Sequence, residues 1–275
     1  MRVMLCQTQI VWEDKEANIG KLDSLLKEAE AKRADLLCLP EMSFTGFSMN
    51  ISATMDFNQE TMKRMQAVAA KYSVAIAFGY TAPAGHNKAD KGKTIANLTL
   101  QDGMKAHNHY AVVDRDGSIL GDYVKIHPFS YAGENRYFEG GDRLVSFDYE
   151  GFHIGLAICY DLRFPEQFMA LGDNCDLIIL GANWPAVRRG HWKIMSQARA
   201  IENQCYMAVI NCYGEMAGTA YAGDSMLICP DGTVLGEQTA EGYSLYEIEN
   251  DVGKYRAEFP VRKDRKSIND IYGGK

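Results

Sequence analysis

Along the chain, short runs of β-branched and other apolar residues alternate with longer runs whose apolar residues recur at helical spacing. This alternation limits the fold more than any other feature. "RVMLCQTQIVW" (2–12) reads as a strand, and "ANIGKLDSLLKEAEAKRA" (17–34) as a helix with Ile19, Leu22, Leu25, Leu26 and Ala29 on one face. "DLLCLPE" (35–41) is a short buried strand that stops at Pro40, and a helix over about 59–72 leads into the strand "SVAIAFGYTA" (73–82). The middle is β-rich: "TIANLTLQ" (94–101), "HNHYAVVD" (107–114) and "SILGDYVK" (118–125), with turn signals at Asp102-Gly103 and Asp116-Gly117. "RLVSFDY" (143–149) and "FHIGLAIC" (152–159) flank Glu150-Gly151 as a hairpin. Beyond them come a helix from Pro165, a strand over 176–183, a helix over 191–204, and strands over 205–213, 224–230 and 243–249. Strands and helices mixed in this way predict an α/β chain of sheets packed together, with helices outside.

The 275 residues are 47% hydrophobic, enough to bury a large core. No linker-like or low-complexity tract divides them, so residues 1–275 are expected to form a single domain. A net charge of -7 argues against nucleic-acid or anionic-membrane partners, although a local arginine can still bind a small acidic substrate. The first residues lack the apolar segment and cleavage site of a signal peptide, and no run is long enough to span a membrane. A cytoplasmic protein is expected.

Seven cysteines form no C-x-x-C pair. Cys6, Cys38, Cys205 and Cys229 lie in strand-like apolar runs, where a free cysteine acts as a small core residue. Cys159 differs. "GLAICYDLRFPE" (155–166) is apolar up to Cys159 and then turns polar, which places the cysteine between a strand and a helix. Backbone N–H groups there favour a thiolate and predict a lowered thiol pKa, and the N–H of Tyr160 can donate to an oxyanion.

A nucleophile needs a base. His153 lies six residues upstream on the strand, about 20 Å away if extended, which is too far. His107 and His109 share a strand face but lack a fuller set of metal ligands, so no metal is expected. His127 and His191 can reach a pocket at Cys159, which leaves a Cys-His enzyme open. Glu41 follows a buried strand, and the flanks Leu36, Leu37, Leu39, Phe44 and Phe47 predict burial, which suits a carboxylate to act as a base. Lys125 likewise ends a strand-like run, in "GDYVKIHPF" (121–129). Strand ends are where active sites collect in layered α/β folds.

"LPEMSFTGF", "YVKIHPF" and "GLAICYDLRFPE", in this order, resemble the Glu, Lys and Cys signatures of the nitrilase superfamily of carbon–nitrogen hydrolases. The resemblance spans nearly the whole chain. It implies a four-layer α-β-β-α sandwich, Cys159 as nucleophile, Glu41 as general base, and Lys125 with the Tyr160 N–H as oxyanion donors. Glu134, in "AGENRYFEGGD", resembles a second glutamate that positions the lysine. The resemblance further implies amide hydrolysis through a thioester with release of ammonia, no cofactor, and a homodimer or higher homo-oligomer.

"NWPAVRRGHW" with "ARAIENQ" (183–204), "YAGDSMLICPDG" (221–232) and "FPVRKDRKSINDIY" (259–272) resemble the omega-amidase branch of that superfamily. Such enzymes act on 2-oxoglutaramate and 2-oxosuccinamate. A monoamide of that kind needs a cation for its far carboxylate, a role that Arg188 suits, with Trp184 as a wall of the pocket. Hydrolysis of an N-carbamoyl amine or a nitrile by the same residues is the nearest alternative. A non-catalytic binding protein on the same scaffold is the alternative from another class.

Overall fold

The computed structural model describes residues 1–85 and 103–266. Its strands in chain order are β1 (Arg2–Gln7), β2 (Leu36–Cys38), β3 (Ala75–Pro83), β4 (Ala106–Val113), β5 (Ile119–Val124), β6 (Ser146–Tyr149) and β7 (Phe152–Ile158). They continue with β8 (Leu177–Ala182), β9 (Tyr206–Asn211), β10 (Tyr213–Met216), β11 (Thr219–Ala222), β12 (Ser225–Ile228), β13 (Val234–Gln238) and β14 (Gly242–Glu247). The helices are α1 (Lys15–Ala31), α2 (Ile51–Thr54), α3 (Glu60–Tyr72), α4 (Glu134–Tyr137), α5 (Pro165–Gly172), α6 (Arg189–Asn203) and α7 (Val252–Glu258).

Two six-stranded sheets form, in the orders β14-β1-β2-β3-β4-β5 and β13-β12-β9-β8-β7-β6. Each has three parallel strands at its centre, β1-β2-β3 and β7-β8-β9, flanked by antiparallel ones. Parallel neighbours need crossover connections, which α1, α3, α5 and α6 supply. Both faces of these central strands are covered, so "LLC" and "LIILGA" are buried throughout and read as continuous apolar runs.

Alternation along each strand sorts its residues between two packing layers. Val3, Leu5, Leu36 and Ala77 meet Ile154, Leu156, Ile179 and Ala208 of the other sheet. Met4, Leu37, Ile76 and Phe78 face outward onto Leu22 and Leu26 of α1 and Met65 of α3. Ala157, Ile178, Leu180 and Val209 pack on Phe168 of α5 and on Trp192 and Ala200 of α6. Helix, sheet, sheet and helix are therefore stacked as four layers, as the resemblance implied.

Several boundaries differ from the sequence pattern. The first strand ends at Gln7 rather than residue 12, because Asn18 takes both backbone groups of Val11, N–H and carbonyl, at 2.7 Å each and draws that segment into a loop. The hairpin β10–β11 gives little local signal, since only Met216 and Tyr221 on it are buried, in a small cluster with Ile10 and Cys212. Cys229 is partly exposed rather than core, because it ends in a turn in which its N–H donates to the Thr233 carbonyl. The predicted strand 94–101, His86 and residues 267–272 of the C-terminal motif lie outside the described residues. Among the described residues, no helix is long and apolar enough to cross a membrane.

Candidate active site

Glu41, Lys125 and Cys159 follow β2, β5 and β7, and the packing of the two sheets brings these strand ends together. Glu41 reaches its place because β3 carries Gly79 opposite it. A Cβ on Gly79 would lie 2.2 Å from the Met42 nitrogen and 2.9 Å from the Glu41 Cα, and backbone cannot yield that far. Ser43 staples the same approach, donating from its hydroxyl to the Pro40 carbonyl and accepting the Gly79 N–H at 2.8 Å.

Glu41, Lys125 and Glu134 are essentially inaccessible to solvent. Lys125 Nζ donates to Glu41 Oε1 at 2.9 Å and to Glu134 Oε1 and Oε2 at 3.1 and 2.9 Å. Asn108 Nδ2 donates to Glu41 Oε1 at 2.8 Å and to Glu134 Oε1 at 3.2 Å. The Asn183 N–H donates to Glu41 Oε2 at 2.9 Å, and the Phe129 N–H donates to Glu134 Oε2. Burial opposes the charge on Lys125, but Glu134 and then Glu41 outweigh it and hold the ammonium above its ordinary pKa. Two carboxylates around one ammonium leave the cluster with one net negative charge.

Cys159 opens a 3-10 turn (Cys159–Arg163) directly after β7, with φ of +43°. A cysteine pays strain for that left-handed conformation. Asp161, fully buried, fastens the turn: it accepts from the Ile158 N–H at 3.0 Å, the Tyr123 hydroxyl at 2.7 Å and the His127 N–H at 3.1 Å. Tyr160 is the second residue of the turn, so its N–H belongs to the first positions, which have no intrahelical acceptor.

The lowered thiol pKa expected at this junction does not occur. Burial pushes the Cys159 thiol well above its ordinary value, and the charge of Glu41 adds to the effect. Lys125 opposes it, while Glu134 and a hydrogen-bonding interaction with Glu41 raise it further. A short turn's dipole is small beside desolvation next to a net negative cluster.

A cavity lies over these groups, lined by Lys125, Cys159, Tyr160 and Asn183 below and by Phe129, Arg163, Trp184 and Arg188 toward its mouth. Neither His127 nor His191 lines it. His127 Nδ1 lies 2.9 Å from Asp161 Oδ1, with its ring stacked on Phe164, and His191 Nδ1 lies 3.4 Å from Arg163. The two adjacent arginines part company. Arg189 pairs bidentately with Asp224 at 2.7 and 3.0 Å, whereas Arg188 lies over the Phe129 ring at 5.5 Å. Trp184 is buried and donates from Nε1 to the Arg188 carbonyl at 2.9 Å, which braces that wall.

Asn108, Asn183 and Asp161 escaped the sequence reading. For Asn183 the available signal was a polar residue inside an otherwise apolar buried run, "ILGANW", whereas Asn108 stands between two histidines and Asp161 in a polar stretch, which carry no such signal.

The sequence profile of the carbon-nitrogen hydrolases matches residues 2–257. Omega-amidase YafV of Escherichia coli is 31% identical over 270 residues, covering 96% of each chain. A 2-oxoglutaramate amidase of Bacillus subtilis is 31% identical over 97% of each chain. The chain belongs to the carbon–nitrogen hydrolase family. A CN-hydrolase superfamily protein from Xanthomonas campestris, solved with an arsenic adduct in its active site, superimposes with a TM-score of 0.85 at 29% identity over 98% of each chain. An amidase from Nesterenkonia, solved after Michael addition of acrylamide at its active-site cysteine, shares the fold with a TM-score of 0.78 at 22% identity. It covers 96% of this chain and 99% of its own. With amidase relatives along nearly its whole length, this carbon–nitrogen hydrolase is an amide hydrolase, which removes the reading as a non-catalytic binding protein.

Proposed function

We propose that the protein hydrolyses the terminal amide of 2-oxoglutaramate or 2-oxosuccinamate, releasing ammonia through a thioester on Cys159. In this reading Glu41 takes the thiol proton as Cys159 Sγ attacks the amide carbon. The oxyanion that develops is met by Lys125 Nζ and the Tyr160 N–H. Glu41 returns the proton to the nitrogen, the carbon–nitrogen bond breaks, and ammonia leaves. Water then gives a proton to Glu41 and attacks the thioester, and the carboxylic acid departs as the thiol is restored. Proton transfer from thiol to Glu41 keeps the cluster's net charge constant, so no unbalanced charge is created inside the protein. Glu134 keeps Lys125 positioned through three short contacts to it and to Asn108.

The substrate assignment rests chiefly on Arg188, a guanidinium that lines the cavity and has no carboxylate partner among the described residues. The substrate's far carboxylate would pair with it through charge-assisted hydrogen bonds. The names of the relatives, an omega-amidase and a 2-oxoglutaramate amidase, support 2-oxoglutaramate.

Ammonia release from 2-oxoglutaramate, compared between wild type and Cys159→Ala, tests this reading. Activity in the wild type alone supports nucleophile and substrate together. A folded wild type that ignores 2-oxoglutaramate and 2-oxosuccinamate, yet releases carbon dioxide from an N-carbamoyl amine or hydrolyses a nitrile, overturns the substrate.

A homodimer is part of the same proposal. Met169 of α5 and Val187 are exposed apolar residues, as are Ile194 and Ile201, seven residues apart on one side of α6. Sedimentation of wild type against Ile194→Glu tests it: a dimer that dissociates in the variant supports this face.

A further inference from the structure

Asn183 follows β8 and lines the cavity beside Cys159, yet only 3% of it is exposed. Its polar groups are nearly all used on Glu41. The backbone N–H donates to Glu41 Oε2 at 2.9 Å, and Nδ2 donates to the Glu41 carbonyl at 2.6 Å. The second contact settles which end of the side-chain amide is which, because the flipped arrangement would press two oxygens together at 2.6 Å. What remains is Oδ1, buried and without a hydrogen-bond partner in the protein. An orphaned acceptor of this kind is costly unless a ligand or water completes it.

We infer that Asn183 Oδ1 accepts an N–H of the substrate's carboxamide, making Asn183 the residue by which the site recognises a primary amide. This rests on the reading of Cys159 as the nucleophile and is independent of which amide is the substrate. The carbonyl oxygen of the substrate is served by donors, Lys125 and the Tyr160 N–H. The nitrogen therefore needs an acceptor, and Asn183 offers one on a side chain hydrogen-bonded to the residue that carries the base. With one N–H held by Oδ1, the nitrogen lone pair that forms on attack is turned toward Glu41, which must protonate it. A nitrile or an ester has no N–H and leaves Oδ1 unpaired, so the same atom discriminates against both.

Alkylation separates this role from a merely structural one. Acrylamide and methyl vinyl ketone have the same shape but end in CO–NH₂ and CO–CH₃ respectively. In each, the thiol sulfur bonds to the terminal alkene carbon and the thiol proton ends on the carbon beside the carbonyl, with no leaving group. Because wild type would hydrolyse acrylamide rather than retain it, the rate at Cys159 is read by mass spectrometry of its peptide in Glu41→Gln, which lacks the base, with Asn183 intact and with Asn183→Ala. The loss of one neutral hydrogen bond should slow acrylamide about five- to tenfold while the ketone changes less than about twofold. Equal slowing of both reagents would mean that Asn183 acts only by holding the segment at residue 41, and the inference fails. Should neither reagent label Cys159 in Glu41→Gln with Asn183 intact, the nucleophile assignment falls and this inference with it. The ketone rate also reports whether the variant's site is intact. If Asn183→Ala does not fold, Asn183→Ser should show the same bias, because its hydroxyl is one bond too short to reach the position of Oδ1, and the ketone rate again reports whether the site is intact.

Discussion

The floor of the cavity and its mouth are built differently. On the floor, Glu41, Lys125 and Glu134 are sealed from solvent, and each is held by at least two polar partners in the protein. At the mouth, rings and guanidiniums lie over one another: Arg188 on Phe129, Phe129 against Tyr160 at 4.7 Å, and Arg163 on Trp184 at 4.8 Å. Tyr131 beside them is 84% exposed. The floor is over-determined because each buried charge must be matched, whereas the mouth is wet and its contacts are individually weak. Damage to the floor should therefore cost chemistry and stability together, and damage to the mouth should cost binding alone.

The sharpest test of that contrast is Glu41→Gln, which is expected to lower kcat by about 10³-fold or more through loss of the base. Its pH dependence adds a sign. Burial, the largest influence on the Cys159 thiol, remains in this variant, so the thiol stays neutral at and below the ordinary thiol pKa. Alkylation of Cys159 should then keep rising with pH above about 8.5, without a plateau below it. A plateau near neutral pH would mean a pre-formed thiolate and would contradict the described floor.

Lys125→Met comes next. It leaves two buried carboxylates facing each other, and unfolding in denaturant should show a loss of about 3–5 kcal/mol together with lost activity. Linkage has a definite direction here. Lys125 is raised above its ordinary pKa, so its ion-pair contribution is fully present below about pH 10.4 and is lost only as pH climbs through the higher folded value. Wild-type stability should show no loss from this cluster between neutrality and pH 10.

At the mouth, Arg188→Ala should raise KM for 2-oxoglutaramate by about 10- to 100-fold, with kcat and unfolding midpoint nearly unchanged. A kcat loss as large as the KM change would show that the mouth takes part in the chemistry, and the distinction between the two regions would fail. The smallest effect belongs to its neighbour. Arg189→Ala removes a partner of Asp224 from the surface and should leave KM within about twofold, measured in the same assay.

The floor was more legible than the mouth. Glu41, Lys125 and Cys159 could be found from the sequence because each closes an apolar run, and Pro40, Pro128 and Pro165 punctuate the chain beside them. Glu134 was found only through a family motif, since its four-residue helix has too little length for a periodic pattern. Arg188 and Arg189 are indistinguishable as neighbours in sequence. The acceptor on Asn183 was invisible because its meaning depends on which of its groups are already used.

The sequence by itself determined the strand ends, the polar break after Cys159 and the layered α/β class, because apolar period and turn residues act over a few residues. Only the tertiary structure decided that Glu41 meets Lys125 across 84 residues and Asn183 across 142. It also decided that Arg188 rather than Arg189 lines the cavity, and that the Cys159 thiol rests neutral. These depend on sheet order, on the stacking of two layers and on the desolvation that follows. Local periodicity carries no information about them, because hydrogen bonds across layers and the loss of water exist only once distant segments are packed together.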